Sequence, residues 1–196
     1  MKKIVVFCGS SLGFDPVYKQ AAIELATEFV KQNITLVYGG GKIGMMGVLA
    51  SSILEQGGKV IGVIPKLLEK EEVVNTHVSE LIVTKNMSER KIIMSKLCDG
   101  YISLPGGFGT LDELFEGLTL NQLHIEEKPN GLLNVKQYFD HTLRQLDHMV
   151  KEGFLKASNR ELLLVDNSAK GLLEKMNRYK APEKNPVINK VVKHDH

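Results

Sequence analysis

The sequence predicts an α/β fold, with one doubly wound parallel sheet and helices on both faces. Three observations predict it. Short apolar runs of strand length alternate with segments of helical spacing along the chain. The runs at 4–8, 34–38 and 101–104 each pass directly into a glycine-bearing loop, the arrangement of a Rossmann-like sheet with its ligand edge at the strand ends. No repeat and no linker interrupts the alternation. Residues 1–180 therefore read as one Rossmann-like domain, and 181–196 as a loose C-terminal tail.

Residues 4–8, Ile-Val-Val-Phe-Cys, form a continuous apolar run, the mark of a central strand covered on both faces. Asp15-Pro16 supplies an N-cap and a proline at the first helical position. The helix that follows runs to about Gln32, with Ala22, Leu25, Ala26 and Phe29 at helical spacing. A second strand at 34–38 leads into Gly39-Gly40-Gly41-Lys42-Ile43-Gly44, then a small-residue helix at 48–56. Gly57-Gly58 breaks it, and 59–64 is a third strand closed by Pro65. Residues 66–79 read as a short helix or loop at the mouth of the sheet, and 81–84 as a fourth strand. A helix at 87–97 precedes the fifth strand, 101–104, and the turn Pro105-Gly106-Gly107-Phe108-Gly109-Thr110-Leu111-Asp112-Glu113. Leu114 and the residues up to about Leu123 are helical. A sixth strand at 132–134, a long helix at 137–151, a last strand at 162–165 and a last helix at 169–179 complete the series.

The bulk properties narrow the function. A net charge of +2, from 25 basic and 23 acidic residues, gives no argument for nucleic acid as a partner. The apolar start ends by Gly9, too short for a signal-peptide core, and no segment is long enough to span a bilayer, so the expected setting is the cytoplasm. Cys8 and Cys98 match no ligand spacing and read as free buried thiols, although one disulfide is possible on count. The six histidines are scattered; His141 and His148 share a helix as surface residues, so no metal site and no cofactor is expected.

The turn at 105–113 carries the chemistry. It takes the chain from a strand straight into a helix N-terminus, where bare N–H groups and the helix dipole favour an anion. Gly106, Gly107 and Gly109 flank Phe108 and strip side chains from the turn, so the Gly107 and Gly109 amides with Thr110 can take a phosphate. Two carboxylates remain. Asp112 reads as a solvated first-turn acid, and Glu113 as free to face a ligand. A purely local alternative stands beside this: Thr110-x-x-Glu113 matches a capping box, with Glu113 turned back on its own helix. The loop Gly39-x-Gly41-x-x-Gly44 fits a dinucleotide fingerprint, but the next strand ends Ile64-Pro65-Lys66 with no acid for a ribose. Gly40 and Gly41 read better as a wall of a mononucleotide site. Arg90-Lys91 opens the preceding helix at the same sheet edge, where an arginine can grip phosphate or ribose bidentately.

Pro105–Glu113, Met87-Ser88-Glu89-Arg90-Lys91 and the loop from Tyr38 to Gly47 together resemble the LONELY GUY (LOG) family of phosphoribohydrolases, which release cytokinin-type bases from nucleoside 5′-monophosphates. The resemblance spans roughly residues 3–157. It implies Arg90 and Glu113 as the catalytic pair, Lys91, Gly107, Gly109 and Thr110 in the nucleotide site, and Glu72 and Thr119 as further substrate contacts. It also implies a homodimer. The family is often labelled lysine decarboxylase, but no pyridoxal-lysine context supports that label here. Two departures bear on base preference: Leu120 replaces the family's Trp, and Gln122-Leu123-His124-Ile125-Glu126 replaces Gln-Leu-Gly-Ile-His.

The expected substrate is a small nucleoside monophosphate, AMP or its N6-modified forms, cleaved to free base and ribose 5-phosphate. Breaking the bond at C1′ builds oxocarbenium character, which a nearby carboxylate stabilises. Glu113 is the candidate. Arg90 stays protonated at neutral pH and so positions rather than donates a proton. Two alternatives remain: a molybdenum-cofactor carrier of the same fold, which has no need of an Arg90–Glu113 pair, and a nucleosidase acting on several unmodified nucleotides.

Overall fold

The alternation of strand and helix gives one all-parallel sheet, seven strands wide, in the order β4-β3-β2-β1-β5-β6-β7. The computed structural model describes residues 1–69 and 74–182. The strands are β1 (Lys3–Phe7), β2 (Thr35–Tyr38), β3 (Val60–Pro65), β4 (Glu80–Thr84), β5 (Gly100–Ser103), β6 (Asn130–Leu133) and β7 (Leu163–Asp166). The helices are α1 (Pro16–Lys31), α2 (Gly44–Glu55), α3 (Lys66–Glu69), α4 (Met87–Leu97), α5 (Phe108–Gln122), α6 (Asp140–Lys151), α7 (Ala157–Arg160) and α8 (Ala169–Arg178). Among the described residues, no helix is long and apolar enough to cross a membrane.

Both faces of the sheet are covered, which explains the unbroken apolar runs. Ile4 and Val6 pack with Leu25 and Phe29 of α1, Leu49 and Ile53 of α2 and Leu172 of α8. Val5 and Phe7, pointing the other way, pack with Val37, Val63 and Met94 of α4. Further along that side, Leu114 of α5 and Phe139 and Leu146 near α6 bury Leu132 and Leu163. Helix starts follow local chemistry. Asp15 accepts from Val17 N at 2.9 Å with Pro16 in the first turn, and Asn86 accepts from Glu89 N at 2.9 Å to cap α4.

Several boundaries move. α2 begins at Gly44 and α5 at Phe108, both earlier than the apolar spacing suggests. The long helix expected at 137–151 is a 3₁₀ turn, Val135–Gln137, followed by α6; Lys136 and Gln137 both have positive φ, which a continuous helix excludes. The short α7 has no apolar period of its own and was not expected. The chain lays down β1 to β4 on one side and then returns through α4 to β5 beside β1. The order therefore reverses between β1 and β5, the crevice where such sheets bind ligands. There Leu104 N donates to Phe7 O at 2.9 Å and Gly9 N to Pro105 O at 3.0 Å.

Candidate active site

The glycine turn lies at this switch point. Its first glycine is a packing requirement: a Cβ on Gly106 would fall 2.1 Å from Thr110 Oγ1 and 2.8 Å from Gly9 N. The next two are not. A Cβ on Gly107 or Gly109 would meet no protein atom within 4 Å, and neither residue has a positive φ. The fold does not demand glycine at either position, and the surface over the turn is bare. Gly107 is the N-cap of α5, and no side chain caps the helix. Its first-turn N–H groups are thus available to an anion.

The capping-box alternative fails. Thr110 lies inside α5 rather than at its cap, and Glu113 makes no hydrogen bond back to its own helix among the described contacts. Thr110 is only 4% exposed and sits beneath Gly106, supporting the turn from inside. Phe108 is the reverse, 94% exposed at the start of the helix.

Glu113 lines a cavity of about 700 Å³ between α4 and α5, with Met87, Lys91, Ile92, Glu116 and Leu120. Burial pushes its pKa up to about 7, against the pull of Arg90 and Lys91. Arg90 is half-buried at the ends of β2 and β3. Its Nε donates to Val63 O at 3.1 Å, and its guanidinium lies where a Cβ on Gly39 would be, 2.3 Å from Nη2. Burial lowers its pKa while Glu113 raises it, so the two groups sense each other without a direct ion pair among the described contacts. Cys8, just past the end of β1, is partly exposed; desolvation pushes its thiol up, and Glu113 adds to the shift. Both cysteines are free.

A second cavity, about 330 Å³, adjoins the turn and is lined by Gly9, Ser10, Ser11, Met45, Gly106, Gly107 and Tyr138. The loop after β1, expected at the ligand edge of the sheet with the other glycine loops, forms part of this cavity's wall, though none of its residues was singled out as a contact. Gly39, which makes room for Arg90, was likewise passed over in favour of its neighbours.

The remaining expected residues divide. Lys91 pairs with Asp112 at 2.8 Å and Glu116 at 3.0 Å, tying α4 to α5, so Asp112 is a salt-bridge partner and not a merely solvated acid. Gly40 and Gly41 are buried under Val74 and Asn75, which pair with them through backbone, and line neither cavity. Thr119 lines a separate crevice between α5 and α6 and donates to Phe115 O at 2.7 Å. Glu72 lies outside the described residues. Of the departures, Leu120 and Glu126 face the larger cavity. Burial would raise the Glu126 pKa, but hydrogen bonds from Ser95 and Tyr101 and the nearby Lys128 together lower it.

The fold is that of a Rossmann-like α/β protein, with the glycine turn at the switch point of its sheet. A family model described as "possible lysine decarboxylase" matches residues 46–176. Cytokinin riboside 5′-monophosphate phosphoribohydrolase LOG1 from Arabidopsis thaliana is 48% identical over 178 residues, covering 91% of this chain and 84% of that protein. The probable cytokinin riboside 5′-monophosphate phosphoribohydrolase LOGL2 from Oryza sativa subsp. japonica is 43% identical, covering 97% and 78%. A molybdenum cofactor binding protein from Rippkaea orientalis superposes with a TM-score of 0.68 at 22% identity, covering 90% of this chain and 96% of that one, a likeness of fold alone. The chain belongs to the LOG family.

Proposed function

We propose that the protein is a phosphoribohydrolase that cleaves the N-glycosidic bond of AMP or an N6-modified AMP, giving free base and ribose 5-phosphate. The observation that carries this reading is Glu113: a carboxylate poised near pH 7 in a nucleotide-sized cavity, one helical turn and a half from an uncapped glycine turn. A carrier has no use for such a group, and relatives at 43–48% identity bear the phosphoribohydrolase name.

The phosphate is held by the N–H groups at the start of α5, with Gly107 and Gly109 allowing close approach. This anchoring fixes C1′ of the ribose against Glu113, so binding energy far from the bond serves to orient it. As the bond to the base lengthens, the Glu113 carboxylate stabilises the positive charge on the sugar and takes a proton from the attacking water. The oxygen of that water ends on C1′ with one of its protons; the other, taken by Glu113, passes to the departing base, which restores the carboxylate. Arg90 holds its charge throughout, steadying Glu113 and the ribose or phosphate oxygens.

The protein acts as a homodimer in this reading. Met87, Ile92 and Ile125 stand 46%, 54% and 66% exposed along the α4–α5 cavity, an apolar rim that a second copy would cover. Two free cysteines suit a reducing cytoplasm. The test is a panel of nucleoside 5′-monophosphates with base and ribose 5-phosphate both quantified. Adenine-type bases are expected to be released, N6-isopentenyl-AMP faster than AMP because Leu120 and Ile92 offer apolar contact. Equal rates on AMP, GMP and CMP would replace this reading with a general nucleosidase.

A further inference from the structure

Two successive non-glycine residues, Lys136 (φ 51°, ψ 32°) and Gln137 (φ 60°), occupy the left-handed region just after β6. L-residues avoid that region, and such strain persists only where surrounding contacts over-determine it, commonly beside functional sites. The contacts are present. Phe139 N donates to Asn134 Oδ1 at 2.8 Å, Asn134 Nδ2 donates to Asp140 Oδ1 at 2.8 Å, and the Phe139 ring is buried. The Lys136 ammonium meets Asp15, the cap of α1.

The strained turn delivers Tyr138. Its hydroxyl donates to the Gly106 carbonyl at 2.7 Å, and its ring stands edge-on to Tyr18 and Phe139. It lines the smaller cavity beside Gly106 and Gly107. Gly9 N already holds the preceding carbonyl, that of Pro105. The carbonyls of Pro105 and Gly106 are therefore both tied down. The Gly107 N–H lies trans to the Gly106 carbonyl in one rigid peptide plane, so fixing one fixes the direction of the other.

We infer that Tyr138 is a positioning residue for the 5′-phosphate of the substrate, setting the glycine-turn amides through the Gly106 carbonyl. The inference rests on the reading of that turn as the phosphate cradle. It concerns a contact made by a hydroxyl 32 residues away in sequence, and none of the turn's own residues supplies it.

Tyr138→Phe tests it, since the ring packing stays and only the hydroxyl goes. The KM for AMP and the inhibition constant of ribose 5-phosphate should rise together by about fivefold to tenfold, the effect of one lost hydrogen bond. The kcat should change less than about twofold and the inhibition constant of adenosine, which lacks the phosphate, should hold. The melting temperature should stay within about 4 °C. If ribose 5-phosphate inhibits the wild-type and variant proteins equally, Tyr138 has no positioning role and the inference is overturned while the cradle stands. If ribose 5-phosphate fails to compete with AMP in the wild-type protein, the cradle itself is wrong and the inference falls with it.

Discussion

Glu113 is held in a place that suits catalysis better than stability. Its folded pKa, about 7, lies above the ordinary carboxylate value because burial disfavours the charge. Below the unfolded pKa both states keep the proton and nothing is lost. As pH rises towards 7 the unfolded chain ionises first, so stability contributed by the neutral form is withdrawn, and above 7 the whole penalty is present. Glu113→Gln should therefore unfold later than the wild-type protein at pH 8, by about 1–3 kcal/mol, and match it at pH 4. Denaturant melts at the two pH values check this; equal stability at pH 8 would mean that Glu113 is not held in a desolvated site. The same ionisation should make kcat/KM of the wild-type protein rise with pH and level off above about 7. Residue-level reasoning from sequence singled out Arg90, Lys91 and Glu113, but not the pairing of Lys91 with Asp112. Those two are paired across α4 and α5, a contact between positions 21 apart that no local pattern encodes.

At the scale of elements, α5 is built against its own interest. Gly109 lies in its first turn with open space where a Cβ would go, and glycine weakens a helix by roughly 0.5–1 kcal/mol relative to alanine. Gly109→Ala should raise the melting temperature by a degree or two and yet raise KM for AMP at least about tenfold, because the methyl group occupies the space over the turn. Thermal melts and initial rates on one preparation separate the two effects; a stabilised variant with unaltered KM would remove the phosphate from this turn. The far end of α5 shows what local sequence does and does not reveal. His124 N donates to Asn121 O and Ile125 N to Leu120 O, with His124 at φ 55°, the geometry of a Schellman close. A histidine takes the left-handed position that glycine usually fills, yet the end near Leu123 was legible. Lys136 and Gln137 instead hide a break inside what reads as one helix, since their left-handed conformation is imposed by Asn134, Asp15 and the buried Phe139. By contrast Asp15-Pro16 fixed the start of α1 correctly, because cap and proline act within one turn.

For the whole molecule, the doubly wound sheet was legible because burial on both faces writes continuous apolar runs such as Ile4-Val5-Val6-Phe7. The strand order, and with it the meeting of Gly9 and Pro105 at the switch point, depends on contacts across about half the chain's length and could only be expected from the fold class. The exposed apolar rim of the α4–α5 cavity makes a prediction at this scale. The protein in solution should show about twice the chain mass of 21.8 kDa, and Ile92→Glu or Ile125→Glu should shift it towards the monomer. Light scattering on the eluting protein decides this; a wild-type monomer at micromolar concentration would require another occupant for the rim.

The central claim is that Glu113 breaks the glycosidic bond of a nucleotide anchored on the glycine turn. It is tested most directly by following base and ribose 5-phosphate released from AMP and N6-isopentenyl-AMP by the wild-type protein and by Glu113→Gln, with AMP binding measured on both by calorimetry. The predicted result is equimolar base and ribose 5-phosphate from the wild-type protein, with turnover lost by at least about a thousandfold in Glu113→Gln and AMP affinity kept within a few fold. Base release persisting in Glu113→Gln, or a wild-type protein that binds AMP and releases no base, would contradict it.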